Sequence, residues 1–195
     1  MKFFKKKENP VKDVVVEEKK PTVMEEIYDF AKSFAKMAAV VLIVRGFVFV
    51  PTEVSGRSMQ PTLNDGDHVI IWQLFYTPSL FDVVVLEYSE GVHHVKRVLG
   101  TPGDRVDYID GELFINDELI DEPYIYDGAS TRGFRLEDIC HLDVCDVIPE
   151  DYFLVLGDYR EGSGDSRNYG LVHRSQILGR AIWRVRPFSE FGTFN

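Results

Sequence analysis

An apolar segment near the N-terminus constrains this chain more than any other feature. Residues 24–50 have a helical pattern of apolar side chains, including the run MAAVVLIV, before Pro51 ends the pattern. A bilayer core of about 30 Å requires roughly 20 apolar helical residues. The stretch 34–50 is slightly shorter and contains Lys36 and Arg45 near its ends, where long side chains can reach the headgroups. We therefore predict one short transmembrane helix at 24–50, with the lipid bilayer as a partner.

Charge is distributed unequally on the two sides of this segment. The first 50 residues contain 10 of the 22 Lys and Arg residues but only 7 of the 32 Asp and Glu residues. The charged tail at 1–23 is predicted to lack a packed core and, by the positive-inside rule, to lie in the cytoplasm. The acidic remainder, 51–195, is then extracytoplasmic. A net charge of −10 also disfavours a nucleic-acid partner.

Two other interpretations of the apolar segment remain open. A helix lying along the membrane interface would have a similar pattern. A cleavable signal peptide is the second alternative, because Val54, Ser55 and Gly56 are small residues suited to cleavage. A leading region of about 36 residues is, however, longer than an ordinary signal sequence.

After the anchor segment, the chain changes to short apolar runs separated by turn signals, which are typical of β strands. The predicted strands lie at 68–72, 83–88, 92–99, 105–109, 112–115, 152–156 and 181–185. Turn sequences at 89–91, 110–111 and 116–117 favour hairpins, so successive strands are predicted to pair antiparallel. The stretch 121–149 lacks a clear period and is predicted to be an irregular insertion. The fold class is therefore mainly β, with one domain at 51–195.

Cysteine and metal chemistry is limited in this chain. Cys140 and Cys145 are its only cysteines, too few for a structural zinc site even with His141 between them. A short disulfide loop in an oxidising compartment is the favoured interpretation, and two buried thiols are the alternative. No metal or cofactor ligand set is recognisable, so no cofactor is expected.

Ser58 is a candidate nucleophile in a turn bounded by glycine and proline, directly after the anchor. Most serines in turns bond their own backbone, so this position alone is weak evidence. A serine hydroxyl also needs a neighbouring base to accept its proton. None of the five histidines lies in a recognisable triad motif, so a different type of base is needed.

Lys96 is the best candidate for that base. It is the single lysine after residue 50, and it lies in an apolar predicted strand, where lysine is rarely buried. Desolvation can lower its pKa from about 10.4 toward neutrality, whereas an arginine would stay charged. The alternative is an edge-strand lysine that discourages aggregation.

Three segments, in this order, resemble the sequence boxes of type I signal peptidases. SGRSMQPTL is similar to the nucleophile box, HVKRVLGTPGD to the lysine box and GDYREGSGDSRNYG to the third box. The resemblance runs from residue 37 to 187 and includes the anchor. It implies the antiparallel core of the signal-peptidase and LexA-like proteins. The implied function is the removal of signal peptides, with small residues at −1 and −3, from secreted preproteins.

The resemblance also implies roles for individual residues. Ser58 would attack the scissile carbonyl, and Lys96 would accept its proton and later pass it to the leaving amine. Ser163 would hydrogen-bond Lys96, and Asp165 and Arg167 would form a structural ion pair. The backbone N–H of Ser58 would donate one hydrogen bond to the oxyanion.

Two positions depart from the commonest family pattern. Gly56 stands where some members have a serine whose hydroxyl completes the oxyanion hole, so the second donor is open. Tyr159 replaces the usual asparagine after Gly157 and Asp158. Neither position is the nucleophile or the base, so activity is still expected.

Two competing functions fit parts of the sequence. A LexA-like peptidase that cleaves its own chain would share the β core, but it is cytoplasmic and the predicted anchor argues against it. An anchored extracytoplasmic binding or structural domain would use the same serines and lysine only structurally. The sequence leaves the oligomeric state open and is compatible with a monomer.

Overall fold

The structure is a computed structural model that describes residues 22–47, 49–140 and 145–194. The predicted tail at 1–23 lies almost entirely outside the described residues. The chain forms two compact units that divide after Val41. Most of the single long helix belongs to the first unit, and all of the strands belong to the second.

Helix α1 spans Val23–Phe47. Its start is fixed by Thr22, whose N–H and hydroxyl both donate hydrogen bonds to the Glu25 carboxylate at 2.7 and 2.9 Å. None of the helices in the described part of the chain is long and apolar enough to cross a membrane. The predicted transmembrane helix at 24–50 is therefore not confirmed.

The predicted end of that helix at residue 50 is wrong, because residues 49–53 form a strand. Strand β1 pairs antiparallel with a second strand over its whole length and has no other partner in the described sheet. Pro51 lacks an N–H, so it is tolerated in an edge strand and not in a helix interior.

Antiparallel strands are the main secondary structure of the second unit, as predicted from the sequence. The strands are β1 Phe49–Glu53, β2 His68–Trp72, β3 Val83–Ser89, β4 Val92–Gly100, β5 Val106–Ile109, β6 Glu112–Ile115, β7 Glu118–Ile120, β8 Phe134–Arg135, β9 Tyr152–Leu156, β10 Val172–His173 and β11 Ile177–Arg186. Two one-turn helices accompany them, α2 Leu136–Ile139 and α3 Ser166–Tyr169. The mainly β fold class is confirmed.

The strands form two sheets. A seven-stranded sheet has the order β1-β2-β11-β3-β4-β9-β10, and a four-stranded sheet has the order β7-β6-β5-β8. In the large sheet, β4 lies between β3 and β9. Cross-strand partners on an antiparallel pair share a face. Lys96 on β4 is opposite Val84 on β3, so it points to the face where Val84, Val98 and Val155 pack together.

The predicted irregular insertion at 121–149 is partly ordered into secondary structure. Within it, β8 pairs with β5, and α2 follows directly. Phe134 and Leu136 are buried in the core around the small sheet. Burial of such side chains stabilises an ordered structure here, although the sequence has no regular apolar pattern that predicts it. Cys140 and Cys145 form a disulfide, and their Cα atoms are 6.1 Å apart, within the usual range.

Candidate active site

Ser58 lies on a turn that is held in place by backbone hydrogen bonds. Val54 donates to the Asp67 carbonyl at 2.7 Å, and Gly66 donates to the Val54 carbonyl at 2.9 Å. Gly56 donates to the Asp65 carboxylate at 2.7 Å and has a φ of +93°, a conformation that side-chain-bearing residues rarely adopt. After Ser58, the side chain of Met59 is buried and anchors the turn. The nucleophile candidate is therefore on a rigid loop.

Lys96 meets Ser58 from strand β4. Its Nζ atom lies 2.8 Å from the Ser58 Oγ atom and donates to the Val95 carbonyl at 3.0 Å. The Lys96 side chain is only 2% exposed. The alternative of an exposed edge-strand lysine is therefore wrong. The two residues that the sequence singled out are 38 positions apart and are in hydrogen-bond contact.

The surroundings of Lys96 disfavour the charged form of its amine. Burial lowers the pKa of Lys96 from 10.5 to about 8. The carboxylates of Asp165 and Asp158 act in the opposite direction, whereas the guanidinium of Arg167 adds to the lowering. An amine with this pKa is uncharged in a useful fraction of molecules near neutral pH, as a general base must be.

The third sequence box forms a turn that packs against Ser58. The N–H of Tyr159 donates to the Ser58 carbonyl at 3.1 Å, so the residue that departs from the family pattern contacts the site through its backbone. The N–H of Gly157 donates to the Asp165 carboxylate at 3.0 Å. Asp165 caps α3 and binds Arg167 through two hydrogen bonds of 2.8 and 2.7 Å. The ion pair expected at these positions is thus formed, and it orients this turn.

Ser163 lies beside the Ser58 turn, but it does not bond to Lys96. A Cβ atom on Gly157 would collide with both the Ser163 side chain and the Ser58 carbonyl, so these groups converge on one glycine. The Ser163 Oγ atom is buried and has no hydrogen-bond partner among the described residues. The predicted hydrogen bond from Ser163 to Lys96 is absent because its hydroxyl faces the glycine instead.

Arg97 and Asp158 form a buried ion pair that the sequence analysis missed. The Arg97 guanidinium donates to the two Asp158 oxygens at 2.9 and 2.7 Å, and both side chains are at most 2% exposed. Arg97 also donates to the Phe81 carbonyl at 3.0 Å, and its guanidinium lies 4.0 Å from the centre of the Tyr124 ring. The sequence contained a signal for this pair, because Lys96 and Arg97 are adjacent cations in an apolar strand. A buried arginine needs a buried anion as partner. This pair joins β4 to the third-box turn.

The backbone N–H of Ser58 is the donor that was predicted for a developing oxyanion. The Ser58 N–H donates to no other group in the described parts of the chain. Gly56 has no hydroxyl to add. Within the described ranges, no group of three or more His, Cys, Asp or Glu side chains could hold a metal ion. The chemistry that this geometry supports is proton transfer from a hydroxyl to a buried amine, which activates the oxygen as a nucleophile.

Comparisons with known proteins show which family this chain resembles. The sequence model of a family described as signal peptidase, peptidase S26, matches residues 27–186. Signal peptidase IB of Staphylococcus aureus (strain COL) is 37% identical over 177 residues, which cover 85% of this chain and 93% of the relative. Signal peptidase I of Bacillus caldolyticus is 38% identical over 162 residues, which cover 78% and 87%. A crystal structure of a signal peptidase I from Enterococcus faecalis V583 has a TM-score of 0.46 and 31% identity, covering 54% of this chain and 97% of that chain.

Proposed function

Since the chain belongs to the peptidase S26 family of signal peptidases, we propose that Ser58 and Lys96 are the nucleophile and general base of its reaction. Its activity is the removal of signal peptides from preproteins by a serine peptidase. The assignment rests on one observation, the 2.8 Å separation between the Ser58 hydroxyl and a buried amine. A serine nucleophile needs a base within hydrogen-bond reach, because an unassisted hydroxyl is a poor nucleophile.

The proposed reaction proceeds in two stages. The Ser58 Oγ atom bonds to the scissile carbonyl carbon while its proton passes to the Lys96 Nζ atom. Collapse of the tetrahedral intermediate breaks the C–N bond, and Lys96 gives the proton to the leaving amine of the mature protein. A water molecule then attacks the ester, Lys96 accepts a proton from this water, and Ser58 recovers its proton as the signal peptide leaves.

The pKa of Lys96 sets the fraction of enzyme that is ready to react. With the pKa lowered to about 8, roughly a tenth of the molecules hold an uncharged amine at pH 7. The Ser58 N–H is the proposed oxyanion donor. Gly56 carries no hydroxyl, so it supplies no second side-chain donor.

The supporting residues act by holding the third-box turn. Asp165 and Arg167 fix the N-terminus of α3, and Asp165 also binds the Gly157 N–H. The Ser163 hydroxyl is buried and has no hydrogen-bond partner in the described part of the chain. We assign it the role of orienting the Lys96 amine once substrate occupies the site.

Membrane attachment through α1 is part of the proposal. Ile27, Phe30, Phe34 and Leu42 are more than half exposed on this helix, so their apolar side chains are available to lipid. The lysine-rich tail places the N-terminus in the cytoplasm by the positive-inside rule. The catalytic unit then lies on the other side, where it acts as a monomer on preproteins with small residues at −1 and −3. Protease protection in sealed vesicles tests this orientation.

Cleavage of a purified preprotein by the full chain in detergent micelles tests the catalytic assignment. Ser58→Ala and Lys96→Arg are each expected to lower kcat/KM by at least about 10³-fold, because one removes the nucleophile and the other keeps a charge that cannot be lost. Ser163→Ala is expected to lower kcat by about tenfold. Urea unfolding of each variant is the control for folding. Substantial activity in Lys96→Arg would show that another group is the base.

A further inference from the structure

Arg160 is a buried cation in the third-box turn that the proposed reaction does not use. Its side chain is fully buried, and its Nε atom donates to the Gly157 carbonyl at 3.1 Å. Gly157 is the residue on which the Ser58 carbonyl and the Ser163 side chain converge. The N–H of Gly157 donates to the carboxylate of Asp165, which is also buried. The N–H and the carbonyl of this glycine are therefore each held by a buried charged side chain.

The anion that balances Arg160 comes from outside this turn. Glu122 follows strand β7 of the small sheet, and its side chain is only 6% exposed. Its carboxylate accepts two hydrogen bonds from the Arg160 guanidinium, at 2.5 and 3.0 Å. It also accepts hydrogen bonds from the hydroxyls of Tyr108 and Tyr124, at 2.8 and 2.9 Å. Four hydrogen bonds thus fix both oxygens of one carboxylate, and the two from arginine form a bidentate pair, which is a strong and directional contact.

Tyr124 extends this contact to the residue beside the proposed base. Arg97 follows Lys96 on strand β4 and forms a buried ion pair with the third-box turn. The Arg97 guanidinium lies 4.0 Å from the centre of the Tyr124 ring, and the hydroxyl of the same ring donates to Glu122. The short stretch after β7 therefore contacts the buried arginines of two elements that form the site, strand β4 and the third-box turn.

Resting on the proposed roles of Ser58 and Lys96, we propose that Glu122 is a positioning residue for the nucleophile. A guanidinium keeps its charge at any relevant pH, so Arg160 stays buried beside Gly157 only while an anion balances it. Without the charge of Glu122, Arg160 turns toward water and releases the Gly157 carbonyl. The turn that packs against the Ser58 carbonyl is then held by one charged side chain instead of two. Glu122 contacts neither substrate nor the reacting atoms in this role.

Preprotein cleavage and urea unfolding, both measured with the full chain in detergent micelles, separate this role from a contribution to stability alone. Glu122→Gln keeps the size of the side chain and removes its charge. We expect kcat to fall about 100-fold, because small displacements of reacting atoms have effects of this size, and KM to change by less than about twofold. The free energy of unfolding is also expected to fall. Asp82→Asn is the matched control, because the Asp82 carboxylate also binds a tyrosine hydroxyl and an arginine but not the third-box turn. This variant should lose stability and keep the wild-type kcat.

The double variant Glu122→Gln, Arg160→Met distinguishes positioning from stabilisation. Removing both charges of a buried pair costs less stability than removing one, so the free energy of unfolding should recover toward the wild-type value. The Gly157 carbonyl still lacks its donor, so kcat should remain about 100-fold low. Recovery of kcat together with stability would overturn the proposal, and so would a wild-type kcat in Glu122→Gln. If Glu122→Gln does not fold, the double variant alone is decisive, because a wild-type kcat in it would overturn the proposal. Activity in Lys96→Arg would instead contradict the proposed function itself.

Discussion

Lys96 is the residue whose environment decides the chemistry, and that environment destabilises the fold. Its amine is buried above valine side chains, and burial lowers its pKa to about 8. In the unfolded chain the pKa of a lysine is about 10.4. The unfolded state therefore binds this proton more tightly than the folded state. The free energy of unfolding is lowered at every pH at which the unfolded lysine is charged.

Replacing Lys96 by methionine should stabilise the protein in a pH-dependent way. At pH 7 the free energy of unfolding is expected to rise by about 3 kcal/mol, because the buried charge is removed and the volume is kept. Between pH 8 and about 10.4 the unfolded lysine still holds its proton and the folded one does not, so the gain shrinks through this window. Urea unfolding at pH 7 and at high pH measures the effect, with Ser58→Ala as control. A gain that is equal at both pH values would contradict it.

The strands differ in how well a single sequence predicts them. The predicted bounds of β2, β6 and β9 equal the observed ones, because each is an apolar run between turn signals. Strands β1, β8 and β10 have two to five residues and pair with partners that are distant in the sequence, which no local pattern indicates. Strand β7 has only three residues and pairs with the preceding strand β6 across the predicted turn at 116–117. The same limit applied to the site. Motifs identified Ser58 and Lys96, but the partner of Arg97 and the direction of the Ser163 hydroxyl depend on tertiary packing.

Gly157 is the residue through which the third-box turn controls the Ser58 loop. A methyl group there would collide with the Ser163 side chain and with the Ser58 carbonyl, and the latter is backbone that cannot rotate away. Gly157→Ala is expected to lower kcat/KM about 100-fold, because small displacements of reacting atoms have effects of this size. Gly164→Ala is the matched control, since no atom lies within 4 Å of its added carbon. Equal activity of the two variants would show that the contact is unimportant.

At the scale of the whole catalytic unit, one sheet face carries exposed aromatic side chains. Phe49 is opposite Trp72 across β1 and β2, and Trp183 is opposite Ile70 across β2 and β11, so these four side chains share a face. Trp72 is 44% exposed and Trp183 is 48% exposed. Exposed apolar surface of this kind commonly marks a site of interaction. Tryptophan in particular favours the interface between lipid and water, which suits an enzyme whose substrates carry an apolar signal peptide.

The two tryptophans of this face are the only two in the chain, so intrinsic fluorescence reports on the face directly. If the face contacts lipid, vesicles with brominated acyl chains should quench the fluorescence of the full chain relative to vesicles of unbrominated lipid. Trp72→Phe and Trp183→Phe each leave one reporter, and both should still be quenched, because the cross-strand register puts both rings on one surface. Soluble acrylamide is the control, since a ring held in lipid is protected from it. Fluorescence that brominated lipid leaves unchanged, while acrylamide quenches it fully, would show that this face remains in water and that attachment depends on the N-terminal helix alone.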